Sequence, residues 1–105
     1  MKEGFAPFDI ATMLEDDESI EFFLNDILGD NDAALFAHAL GTAARAKGMT
    51  QVSKETGLAR EALYRSFSEE GNPSLKSTLA VLKSLGFQLS IRPIGQLATA
   101  EEAAE

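Results

Sequence analysis

The chain has no cysteine, and that absence excludes a disulfide framework, a thiolate metal site and a cysteine nucleophile. It fits a reducing compartment. No apolar run approaches the roughly 18 to 20 residues that a membrane helix needs, and the opening MKEGFAPFDI has one lysine followed at once by Glu3, without the apolar stretch of a secretory signal. A soluble, cytoplasmic protein is the expectation. Groups for catalysis are equally scarce: the single histidine, His38, falls inside a helical pattern, and neither a glycine-rich phosphate loop nor an HExxH spacing occurs. The acidic stretch DNDA lacks the ligand ladder and glycine of a calcium loop. Neither enzymatic activity nor a metal or cofactor is expected.

What is present is one domain's worth of chain: 105 residues, 45% hydrophobic, enough for one modest core. Basic side chains number only 9 against 17 acidic ones, a formal net charge of -8, yet the charge is divided along the chain. Residues 1–35 hold Lys2 against ten carboxylates, a balance of -9. Residues 36–95 hold eight basic side chains against Glu55, Glu61, Glu69 and Glu70, a balance of +4, and the tail adds -3 through Glu101, Glu102 and Glu105. An acidic front joined to a mildly basic body points to two different partners.

The apolar pattern predicts five helices. Ile20, Phe23, Leu24, Ile27 and Leu28 form one stripe, predicting a helix over about 18–28, with Asp16 or Asp17 as cap and Gly29 as stop. Asn31 or Asp32 caps a second helix to about Lys47, with Leu35, Phe36, Ala39, Leu40 and Ala43 inward. Thr50 is expected to cap a short helix to Thr56, and Gly57 permits a tight turn into a helix over 59–67 whose core contacts are Leu58, Leu63 and Phe67. After the SEEGNPS loop, Ser74 caps a last helix with Leu75, Leu79, Leu82 and Leu85 on one face, ended by Gly86. Phe87, Leu89 and Ile91 then alternate with polar residues, which reads as a strand over 87–93. Such a strand needs a partner: a weak strand signal at 7–12, or a second copy of the chain, so these three residues are dimerisation candidates. The domain is thus expected over residues 1–95, with an acidic segment 1–30, a helical core 31–86, the strand, and a frayed acidic tail 96–105.

Two short helices around a glycine can be part of an ordinary small helical bundle. Here Ser53, Gly57 and Leu63 have the further spacing of a helix-turn-helix: a small residue where two helices cross, a turn residue, then an apolar residue that locks the second helix onto the core. Val52 and Leu58 fill the neighbouring apolar slots, and the pattern runs on into NPSLKSTLAVLKSLG. That combination resembles lambda-repressor-like (Xre-type) regulators. The longer run GMTQVSKETGLAREALYRSFSEEGNPSLKSTLAVLKSLGFQL, preceded by FDIATMLEDDESIEFFLNDIL, resembles the addiction-module antidote family, the HigA-like antitoxins. The resemblance implies a mainly α, five-helix lambda-repressor-like domain that binds a RelE/HigB-like ribonuclease toxin encoded beside it and represses their shared operon. A free-standing phage-type repressor of the same fold is the alternative.

On this reading the helix from Ala59 to Phe67 enters the major groove, with Arg60, Glu61, Tyr64 and Arg65 facing out. Arg60 can donate twice to a guanine edge, Glu61 can accept from a cytosine amino group, and Tyr64 can touch a thymine methyl or a phosphate. Lys54, Arg65, Lys76 and the start of the last helix at Ser74 would hold phosphates. Two positions depart from the repressor pattern. Gln51, at the place of a usual phosphate contact, stands closer to Ser53 than in many such domains, and Ala59 occupies a cap position that is commonly serine. A local balance of +4 gives modest nonspecific affinity, so a homodimer on two half-sites of operator DNA is expected.

The acidic front could be only a solvated helix cap. Ten carboxylates in 35 residues are more than a cap requires, and an acidic helix could cover the basic surface of a ribonuclease. Asp16, Asp17, Glu18 and Glu21 are the candidate toxin-facing charges. Phe5, Phe8 and Phe22 are either anchors in toxin pockets or ordinary packing residues.

Overall fold

The computed structural model describes residues 16–94, and among them the fold is built entirely of helices: α1 (Asp17–Leu28), α2 (Ala33–Lys47), α3 (Met49–Thr56), α4 (Arg60–Ser66) and α5 (Leu75–Leu85). The candidate strand at 7–12, Phe5, Phe8 and the tail 96–105 lie outside the described residues.

Helix starts follow side-chain chemistry where a capping oxygen is available. Asp16 accepts from the Ser19 N–H at 2.8 Å, Asp32 from the Leu35 N–H at 3.1 Å, and Ser74 from the Ser77 N–H at 3.0 Å. Asn31 therefore yields the cap to Asp32 and instead takes a left-handed backbone, φ 58°. Thr50 does not cap α3 as expected. The helix begins two residues earlier because the Gly48 carbonyl already accepts from the Val52 N–H at 3.0 Å, and burial of Met49 draws that residue into the helix.

The core is where α2, α3, α4 and α5 meet, and its largest fully buried side chains come one from each: Leu40, Val52, Leu63 and Val81. Burial of a side chain of this size stabilises the fold by about 1.5–3 kcal/mol. α1 lays Ile20 and Leu24 onto α2, extending the same cluster. α2 and α4 approach so closely at Gly41 that an added Cβ would stand 2.2 Å from the Phe67 carbonyl oxygen. Only the absent side chain permits that crossing.

Three leucines expected inward are exposed. Leu35 lies in the first turn of α2, and Leu75 (67% exposed) and Leu79 (44%) lie in the N-terminal half of α5. α5 instead buries Val81, Leu82, Ser84 and Leu85, all in its C-terminal half, where α2 and α3 pack against it. The apolar period of this segment is helical, but which end of the helix is covered depends on its neighbours.

Residues 87–93 form no strand among the described residues. Gly86 in the left-handed conformation closes α5, with the Phe87 N–H returning to the Leu82 carbonyl at 2.9 Å. Phe87 is drawn partly onto the core, but Leu89 and Ile91 are exposed. A ladder requires a second strand, and the described part of one chain supplies none.

Candidate nucleic-acid interface

α3 and α4 are joined by a turn that their own side chains hold shut. Gly57 takes φ 78° and ψ 7°, a left-handed conformation that places α4 across α3. The Ser53 hydroxyl donates to the Leu58 carbonyl at 2.6 Å, and Thr56 Oγ1 accepts from the Leu58 N–H at 3.1 Å while donating to the Val52 carbonyl at 2.8 Å. Ser53 is thus more than a small residue at a helix crossing, because its hydroxyl caps the turn carbonyl that faces it. With the turn fixed, Leu63 and Phe67 are buried against α2 and α3. Arg60, Glu61, Tyr64 and Arg65 are left outward, all exposed, with Tyr64 at 46%.

The other residues expected at this surface are also exposed: Gln51, Lys54 and Ala59 on α3 and its turn, Ser74 and Lys76 at the start of α5. Two of them are already committed to bonds within the chain. The Ser74 hydroxyl caps α5 and lies 3.1 Å from the Ser77 hydroxyl. The Gln51 amide Nε2 donates to Glu55 Oε2. Ala59 precedes α4 without any side-chain cap, as its chemistry requires.

Glu55 is the most connected polar group of this region. Its Oε1 accepts from the Ser84 hydroxyl of α5 at 2.7 Å and from the Lys47 ammonium of α2 at 3.2 Å, and Lys47 also donates to the Ser84 carbonyl. The Ser84 hydroxyl, then Gln51, then Lys47 hold the Glu55 carboxyl down at about 2, since each bond favours the ionised form. Composition and local pattern did not single out this residue. The Gln51–Glu55 half has a local signal, an i, i+4 pair. The Ser84 half has none, because the partners are distant in the chain.

Beside α4 lies a second group that the sequence did not announce. A cavity of about 170 Å³ between α2 and α4 is lined by His38, Thr42, Arg45, Met49, Tyr64 and Ser68, among others. The Arg45 guanidinium donates to Thr42 Oγ1 at 3.4 Å, and Thr42 donates to the His38 carbonyl at 3.2 Å. Arg45 of α2 and the outward Tyr64 of α4 thus line the same cavity. Among the described residues no cluster of histidine and carboxylate side chains could hold a metal ion.

The acidic candidates are on α1. Asp16 is spent on the cap, and hydrogen bonds from the Ser19 side chain and backbone lower its pKa. Asp17, Glu18 and Glu21 are exposed. Phe22 is 75% exposed, on the side of α1 opposite the buried Ile20 and Leu24, so it is not a core residue of the described chain. The helix contains no basic residue, and Asp26 extends its acidic face beyond the positions singled out from sequence.

The fold and this surface define a small five-helix domain carrying two distinct outward faces, one mixed and basic-leaning on α3 and α4, one acidic on α1. A family profile described as probable addiction module antidote protein matches residues 4–93. The chain belongs to that family. It is also similar to an uncharacterised protein of Haemophilus influenzae strain Rd, 37% identical over 92 residues, spanning 88% of this chain and 95% of the relative. No solved structure matches the chain. No helix among the described residues is long and apolar enough to cross a membrane.

Proposed function

We propose that the chain is the antitoxin of a type II toxin–antitoxin pair: it neutralises a RelE/HigB-like toxin by direct binding and represses its own operon through α3 and α4, acting as a homodimer. Membership of the antidote family supports the antitoxin role. The observation that carries the DNA half is the α3–Gly57–α4 unit, in which Leu63 and Phe67 are buried while Arg60, Glu61, Tyr64 and Arg65 all face solvent. That division is what a recognition helix in a major groove needs, with one face held by the core and the other free for base edges.

Overall acidity does not oppose this reading. At physiological salt, screening acts over about 8 Å, so a DNA-facing surface responds mainly to its own charges. The α1 face, with Glu18, Glu21 and Asp26 around an exposed Phe22, suits a basic protein with an apolar socket. Co-expression with the neighbouring gene product, followed by pull-down and growth rescue, tests the toxin half. Anisotropy of a labelled duplex from the chain's own upstream region tests the other half. Absence of a complex and of rescue, with DNA binding retained, would leave a free-standing repressor.

A further inference from the structure

The two oxygens of Glu55 serve different parts of the molecule. Oε1 is fixed by the body of the domain, through the buried Ser84 of α5 and Lys47 at the end of α2. Oε2 faces along α3 to the Gln51 amide. The helical repeat puts Gln51, with Lys54, on the side of α3 away from the buried Met49 and Val52, so Gln51 is an outward group held by an anchored one.

We infer that Glu55 is a positioning residue for DNA binding, holding the Gln51 side chain in one orientation by a carboxylate that Ser84 and Lys47 fasten to the core. This rests on the proposed DNA-binding reading of α3 and α4. An ionised carboxylate can only accept hydrogen bonds, so Gln51 must turn its NH₂ toward Glu55. One N–H of that group is thereby used, and the second N–H and the carbonyl oxygen are presented in a fixed direction. An exposed glutamine without such a partner samples several rotamers, and fixing it on contact with DNA carries an entropic cost that this arrangement removes before binding. The arrangement also answers a question of charge. A bare carboxylate on α3 would repel phosphates, whereas here Lys47 sits on it at 3.2 Å.

The test is a double-mutant cycle on the full chain, reading anisotropy of a labelled duplex from its own upstream region. Gln51→Ala and Glu55→Gln should each weaken specific binding roughly three- to tenfold, the range of one net hydrogen bond. The double variant should lose no more than either single one, because the two act as a unit. Circular dichroism at the assay temperature checks that each variant is folded; if Glu55→Gln is not, Glu55→Asp takes its place, since the shorter side chain cannot span Ser84 and Gln51 together. Losses that multiply in the double variant, or Glu55 variants that bind DNA like the wild type while melting lower, would overturn the inference and leave Glu55 a structural clasp. If the wild-type chain itself shows no specific binding, the DNA reading fails, and the positioning role fails with it.

Discussion

Ser84 of α5 donates its hydroxyl to Glu55 of α3 at 2.7 Å, joining residues 29 positions apart in the chain. Ser84 is buried, where a hydroxyl without a partner would be costly, so the bond satisfies the serine as much as it fixes the carboxylate. It also makes the packing of α3 on α5 specific in direction, which the leucine and valine contacts beside it do not.

That bond has a pH signature. The folded state holds Glu55 at about 2 against an ordinary 4.5, so the ionised carboxylate favours folding. Its contribution is complete above pH about 4.5 and is lost as pH falls toward 2. Thermal melts of the wild type should therefore decline through this window, and Ser84→Ala should decline less across it. Parallel curves for the two proteins would remove the Ser84 bond as the cause.

Gly41 should tolerate no side chain. Alanine there would bring its Cβ to 2.2 Å from the Phe67 carbonyl oxygen, which forces α2 and α4 apart. Overpacking of this kind costs about 1–3 kcal/mol, readable as a lower urea midpoint. Because α4 carries the outward Arg60 and Tyr64, specific DNA binding should fall as well.

Arg60→Ala should weaken binding of the upstream duplex by about 1–3 kcal/mol, the value of a bidentate base contact, while leaving the melting temperature unchanged. Lys54→Ala or Lys76→Ala should instead weaken specific and nonspecific duplexes alike and flatten the salt dependence. Equal effects of Arg60→Ala on both duplexes would place it on a phosphate.

Phe22 and Leu24 offer a comparison on one helix. Leu24 is buried and Phe22 is 75% exposed, so Leu24→Ala should cost about 2–5 kcal/mol of stability and Phe22→Ala almost none. If α1 is the toxin-binding face, Phe22→Ala combined with Glu18→Lys and Glu21→Lys should abolish pull-down of the neighbouring gene product and growth rescue, with the fold intact. Full rescue by that triple variant would place the toxin elsewhere on the chain.

Helix positions were legible because they depend on neighbours a few residues away: the stripe from Ile20 to Ile27, the caps at Asp16, Asp32 and Ser74, and the left-handed Gly57 all act locally. Thr50 is not the cap: α3 starts after Gly48 without a side-chain cap and takes in the buried Met49, and burial of Met49 is a tertiary effect that local pattern does not carry. The strand expected at 87–93 has the right alternation, but alternation describes only which faces differ, and a strand exists only where another chain segment lies alongside.

The amino-acid order alone determined the five helices, the turn at Gly57, the inward Leu63 and Phe67, and the separation of acidic from basic charge. Each of these is set by spacing within a few turns or by simple counting. Only the tertiary structure decided that Leu75 and Leu79 stay outside, that Phe22 stands on the solvent side of α1, and that Glu55 joins Ser84 and Lys47 while holding Gln51. The physical reason is that burial and hydrogen bonding are shared properties of two surfaces. A helix carries its own periodicity, but the neighbour that covers it is chosen by the rest of the chain.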